Sequence, residues 1–215
     1  MIQAVVFDFD DTLVKTRLIK WAQHKAIARE YYGNDLTDDD ILKHWGKPLN
    51  VLITELHRAA DTIENMLSNY RATNHRFQKV AEEGARETTL VLLAGGLEVG
   101  VVTAANREFV LSDLKRLGFP TESFFHIQAA DETEFHKPDP RVFDPTLEAL
   151  HDIGIEVGKA VYVGDALWDY VAARDAGMDF IGVTTGLASK AEFKKTGAPQ
   201  IIDRIDKLPA LLLRQ

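Results

Sequence analysis

Short apolar runs alternate with longer stretches of helical spacing along most of this chain. The first run, Ala4-Val5-Val6-Phe7, is too short to span a membrane and rich in β-branched residues, so it predicts a buried strand. From residue 15 to about residue 85 the pattern is polar-rich and helical. Leu18, Trp21, Ala22, Lys25 and Ala28 are spaced for one amphipathic helix that fades at Tyr32-Gly33-Asn34. Thr37 followed by Asp38-Asp39-Asp40 reads as an N-cap with acids in the first turn. Gly46-Lys47-Pro48 breaks the pattern, Leu49, Leu52, Ile53 and Leu56 begin another helix, and a further helical stretch is expected over residues 60–83, ended by Gly84.

Beyond residue 87 strand and helix patterns alternate. Residues 90–94 form a short ambiguous run closed by Gly95-Gly96. Strands are predicted over residues 99–103, 124–127, 160–163, 180–183 and 201–202. Helices are predicted over 107–117, over 140–150 despite Pro145, and over 167–176. Apolar strands without alternation, separated by helices, indicate a parallel sheet covered on both faces. The expected architecture is therefore α/β and Rossmann-like. An all-helical insertion over residues 15–85 interrupts a core formed by residues 1–14 and 86–215. In such sheets ligands sit outside the carboxyl ends of the strands. The polar residues that follow the strands, Asp8 and Asp10, Thr103, Lys137, and Asp165 with Asp169, are all predicted on that one rim.

Composition narrows the function classes. A 215-residue chain suits one large domain or a domain with a sizeable insertion, and 46% hydrophobic residues suffice for a core. A net charge of −8 argues against a nucleic-acid backbone or an anionic membrane surface as the main partner. The chain has no cysteine, which excludes disulfides, thiol catalysis and thiolate zinc sites. The first residues lack a basic segment and a cleavage pattern, so a cytoplasmic protein without a membrane span is expected.

Three carboxylates, Asp8, Asp10 and Asp11, arrive within four positions of the first strand's end. Side chains alternate across a strand, so Asp8 and Asp10 should project to the same side. Their mutual repulsion calls for a hard cation such as Mg²⁺, which takes oxygen ligands. Asp8-Phe9-Asp10-Asp11-Thr12, Thr103, Lys137-Pro138 and Gly164-Asp165 followed by Asp169 resemble, in order and spacing, the four motifs of the haloacid dehalogenase-like hydrolases. The match is to the subgroup with a helical cap inserted after the first strand, near the phosphoglycolate phosphatase-like and β-phosphoglucomutase-like members.

The resemblance implies an Mg²⁺-dependent phosphatase acting on a small phosphorylated metabolite through an aspartyl-phosphate. It makes Asp8 the nucleophile and Asp10 the general acid and then base. Thr103 and the Ala104 backbone N–H would bind phosphoryl oxygens, and Lys137 would neutralise Asp8 and the phosphoryl group. Asp8, Asp165 and the Asp10 carbonyl would hold Mg²⁺, with Asp169 behind them. Asp11 departs from the family pattern, where glycine is commonest, as does Ala104, where asparagine is frequent. A phosphomutase of the β-phosphoglucomutase type shares all four motifs, but often carries histidine where this chain has Lys20. A haloacid dehalogenase needs no Mg²⁺ and lacks the second acid that Asp10 supplies. A phospho-acceptor domain would be shorter and carry its acceptor on a later strand. Lys47, between Gly46 and Pro48, is a candidate for meeting an anionic group on the distal part of the substrate.

Overall fold

The computed structural model describes residues 1–213. Strand β1 (Ala4–Phe7) is fully buried and lies at the centre of the sheet. The chain then leaves through β2 (Val14–Lys15) and returns through β3 (Val80–Ala81), and these two short strands pair with each other. Between them lie helices α1 (Arg17–Tyr32), α2 (Asp38–Leu42), α3 (Leu49–Leu56) and α4 (Ile63–Asn74). The remainder runs α5 (Ala85–Ala94), β4 (Glu98–Val102), α6 (Arg107–Arg116), β5 (His126–Gln128), α7 (Asp144–Asp152), β6 (Ala160–Gly164), α8 (Leu167–Asp175), β7 (Asp179–Val183), α9 (Lys190–Thr196), β8 (Gln200–Ile202) and α10 (Leu208–Leu212). The molecule divides into two compact units, Met1–Val14 with the chain from Ala81 onward, and Lys15–Val80.

In the first unit six parallel strands stand in the order β5-β4-β1-β6-β7-β8. Alternation of side chains feeds two apolar cores, one on each face. Val5 and Phe7 of β1, Val99 and Val101 of β4, Val161 and Val163 of β6 and Ile181 and Val183 of β7 pack against Leu92 of α5, Val110 and Leu114 of α6 and Leu208 of α10. Ala4, Val6, Val102, Tyr162 and Phe180 face the other way, against Phe143, Leu150 of α7, Ala172 and Ala173 of α8 and Phe193 of α9. Burying each large apolar side chain contributes roughly 1.5–3 kcal/mol. The chain winds outward from β1 to β4 and β5, then crosses back to β6 on the far side of β1. That reversal is the point where open α/β sheets hold their ligands. Among the described residues no helix is long and apolar enough to cross a membrane.

The second unit packs Trp21, Ile41, Leu52, Ile53, Leu56 and Met66 into its own small core. Thr37 caps α2 as expected: its side chain accepts from the Asp40 N–H, and Asp40 reaches back to the Thr37 N–H. Three details differ from the pattern-based expectation. The buried face of α1 carries Lys20, Gln23 and His24, whereas Leu18 is 75% exposed. The Lys20 ammonium donates to Gln23 Oε1 (2.8 Å), Asn74 Oδ1 (2.6 Å) and the Phe77 carbonyl (2.9 Å), so polar residues fill this interior through hydrogen bonds rather than apolar contact. The stretch over 60–83 is helical only through Asn74, and Gly84 starts α5 instead of ending a helix. The ambiguous run over 90–94 belongs to α5, with Leu90 and Val91 on its exposed side. Pro145 is tolerated because it falls in the first turn of α7, where a missing N–H leaves no intrahelical bond unmade.

Candidate active site

The predicted rim residues gather at the carboxyl ends of β1, β4 and β6. Asp8 follows β1 directly, and its N–H donates to the Val163 carbonyl (2.8 Å), which extends the β1–β6 ladder by one residue. Asp8 is buried, Asp10 half-buried. Thr103 follows β4 and is tied to the neighbouring strand through its N–H on the Gln128 carbonyl (3.1 Å). Its Oγ1 accepts from the Ala105 N–H (3.1 Å), which leaves the hydroxyl hydrogen to donate elsewhere. Ala104 beside it is half-buried.

Lys137 is drawn into the same cluster. Its ammonium, with a side chain 6% exposed, donates to Asp8 Oδ1 (2.7 Å), Asp169 Oδ1 (2.6 Å) and the Tyr162 hydroxyl (2.9 Å). Asp169, in the first turn of α8, also accepts from the Ala166 N–H through Oδ2 (3.0 Å). Gly164 makes that approach possible, since a Cβ there would fall 2.6 Å from Asp169 Oδ2. Asp165 Oδ2 accepts from the Leu187 N–H (2.9 Å). Carboxylate oxygens of Asp8, Asp165 and Asp169 all lie within 4.8 Å of one another.

This crowding shapes the electrostatics. Burial, opposed by the Lys137 ammonium and reinforced by the charges of Asp169 and Asp10, leaves the Asp8 carboxyl raised to about 7. Asp165 is held well above the ordinary carboxylate range by burial, reinforced by the charges of Asp169, Asp8 and Asp11. Burial alone would lower the Lys137 amine, but Asp169 and Asp8 outweigh it and keep it protonated. One buried ammonium thus stands among several acids, and both Asp8 and Asp165 lack enough positive charge nearby. Hard oxygen donors in that state suit a hard divalent cation.

The family model of the haloacid dehalogenase-like hydrolases matches residues 5–183, a span that holds Asp8, Asp10, Thr103, Lys137, Asp165 and Asp169. The chain is a haloacid dehalogenase-like hydrolase. Pyrophosphatase PpaX of Bacillus velezensis is 31% identical to this hydrolase over 186 residues, covering 85% of the chain and 83% of that protein. Among solved structures, a predicted phosphoglycolate phosphatase from Haemophilus somnus superposes with a TM-score of 0.82 at 19% identity, covering 98% of the hydrolase and 97% of that chain. CbbY from Rhodobacter sphaeroides, solved in complex with phosphate, gives 0.78 at 21% identity, covering 97% and 96%. These two structures share its fold.

Of the remaining residues singled out in the sequence, Lys47 of the hydrolase belongs to the helical unit. There it is exposed, with its ammonium 3.2 Å from His44 Nδ1. Asp11 adopts φ +58, the left-handed region that accounts for the glycine expected at this position. Two contributors were not anticipated. Tyr162 accepts from Lys137 and donates to the Val102 carbonyl (2.9 Å), bracing the lysine against β4. Its signal was a hydroxyl inside an otherwise apolar strand, which needs a partner when buried. Thr185, beyond β7, donates to the Asp11 carbonyl (2.6 Å).

Proposed function

We propose that this hydrolase is an Mg²⁺-dependent phosphatase that cleaves a small phosphorylated compound through an aspartyl-phosphate on Asp8. The observation that carries this reading is the Lys137 ammonium bonded at once to Asp8 and Asp169 inside a buried acidic cluster at the sheet's reversal point. Asp8, Asp165 and the Asp10 carbonyl would hold the ion, with Asp169 fixed behind them by Lys137 and the Ala166 N–H. When bound, the ion neutralises phosphoryl oxygens that would otherwise repel the Asp8 carboxylate.

The chain's own residues supply the rest. Lys137 orients Asp8 and favours its ionised form, and one Asp8 oxygen attacks phosphorus in line with the leaving oxygen. The phosphorus–oxygen bond to the leaving group breaks, and Asp10 gives that oxygen its proton. The Thr103 hydroxyl and the Ala104 N–H stabilise charge on the phosphoryl oxygens. Asp10, now a carboxylate, takes a proton from water, which attacks the same phosphorus and releases phosphate with Asp8 restored. The helical unit acts as the cap that selects substrate, and Lys47 meets a distal anionic group on it. Pyrophosphate is the first substrate to test, because PpaX of Bacillus velezensis is named for that activity.

A panel of pyrophosphate, phosphoglycolate, sugar phosphates and p-nitrophenyl phosphate, assayed with Mg²⁺ and with chelator, tests the assignment. Steady turnover of at least one member, abolished by chelator, is expected. Full activity in metal-free buffer would sink it, and a single stoichiometric phosphorylation without turnover would point to a phospho-acceptor instead. In the same panel Lys47→Ala should lower kcat/KM for the best substrate about tenfold, the scale of one charge-assisted hydrogen bond, and leave p-nitrophenyl phosphate turnover nearly unchanged. Equal effects on both would return Lys47 to the surface.

A further inference from the structure

The oxygens that would hold the ion come from two segments, the turn after β1 and the start of the β6–α8 connection. A third segment, residues 184–188 beyond β7, touches both, and the chemistry above gives it no part. Asp11 stands at φ +58, a region that ordinary side chains disfavour. Its N–H donates to the Val14 carbonyl (2.7 Å), and its carbonyl accepts from the Thr185 hydroxyl (2.6 Å). A peptide unit is planar, so the Asp10 carbonyl and the Asp11 N–H lie on opposite edges of one plane. The Val14 bond therefore sets where the Asp10 carbonyl points, and the Thr185 bond fixes the next plane. Asp11 is held on both sides in a conformation it would otherwise leave.

The same segment grips the other ligand. The Leu187 N–H donates to Asp165 Oδ2 (2.9 Å), and the Ala188 N–H donates to the Asp165 carbonyl (2.9 Å). Between Thr185 and Leu187 the backbone passes so close that a Cβ on Gly186 would fall 1.7 Å from Asp165 Oδ2. Only glycine permits that approach.

We propose that Thr185 is a positioning residue for the metal site: with Gly186, Leu187 and Ala188 it straps the turn after Asp10 to Asp165, so that the carbonyl and the carboxylate are held at one spacing. This inference rests on the Mg²⁺ reading above. Residues behind metal ligands commonly change affinity by about 10–100-fold when removed.

The test is calorimetric titration of Mg²⁺ into metal-free wild type, Thr185→Val and Thr185→Ser. The Mg²⁺ dependence of p-nitrophenyl phosphate turnover and the melting temperature without metal are measured alongside. Valine keeps the shape of threonine and removes the donor, so Mg²⁺ affinity should fall about tenfold or more. The activity deficit should narrow as Mg²⁺ is raised, and serine, which restores the hydroxyl, should recover most of the affinity. If the valine variant fails to fold, Thr185→Ala is read in the same way. A purely structural threonine would lower the melting temperature and leave Mg²⁺ affinity at the wild-type value, and that result overturns the inference alone. A wild type that neither binds nor needs Mg²⁺ overturns the metal reading and this inference with it.

Discussion

Asp8 and Asp10 are two residues apart, yet they stand in different surroundings. Asp8 is buried and bonded to Lys137, whereas Asp10 is half-buried and is not among the acids that share the Lys137 ammonium. Two acids in unlike environments can divide nucleophile and proton donor between them. Asp8→Asn should therefore abolish covalent phosphorylation. Asp10→Asn should slow alkyl phosphates far more than an activated aryl phosphate, whose leaving group needs no proton; equal slowing of both would remove Asp10 from the acid's role. Asp8, Asp10, Thr103 and Asp165 could be located in the sequence because each closely follows an apolar run, whereas Lys137, in the segment well beyond one, stood out only through the Lys-Pro pair of the family motif. Tyr162 and Thr185 could not be assigned in that way. Their acceptors are main-chain carbonyls, 60 and 174 residues away in sequence, and a carbonyl has no residue type to betray it.

At the scale of the element, α1 shows what periodicity can and cannot reveal. Its span and its stop at Gly33 were legible, because apolar spacing and a left-handed C-cap mark them. Its buried face was not, because Lys20, Gln23 and His24 are buried through specific partners rather than hydrophobicity. His24 Nδ1 and both ring nitrogens of His57 have no hydrogen-bond partner among the described residues. Burial lowers His24 from 6.5 to about 3, with the charges of His57 and Lys20 adding to it, and burial lowers His57 to about 4. Both rings are neutral in the folded unit and take up protons near pH 6.5 when it unfolds. Their contribution is thus fully present above that pH and is lost as pH falls toward the folded values. The loss is on the order of 1.4 kcal/mol per pH unit for each ring. Amide exchange in α1 and α4 should accelerate between pH 6 and 4.5, and His24→Phe should flatten that response. An exchange rate in those helices that tracks only the intrinsic pH dependence would refute this account.

For the molecule as a whole, the α/β class followed from unbroken apolar strands, and the alternation within them explains why both faces of the sheet are covered. Strand order was not legible, since β1 is flanked by β4 and β6, neighbours that no local pattern selects. Helices α9 and α10, of seven and five residues, are too short to display a period. The paired strands β2 and β3, through which the chain leaves and re-enters the core, bear on how the protein folds. To pair β1 with β4 the chain must close a long loop, and that closure costs entropy before any contact rewards it. A helical unit that forms early and zips β2 to β3 brings those ends together in advance, leaving β1 and β4 joined by a short tether. Leu52→Ala, which hollows the helical unit's core, should then slow refolding of the distant sheet, read at Trp168 by stopped-flow fluorescence with Trp21 and Trp45 replaced by Phe. If Leu52→Ala leaves that rate unchanged, the sheet closes its loop unaided. If the rate falls, the inserted helices serve as an intramolecular chaperone for the fold that carries them.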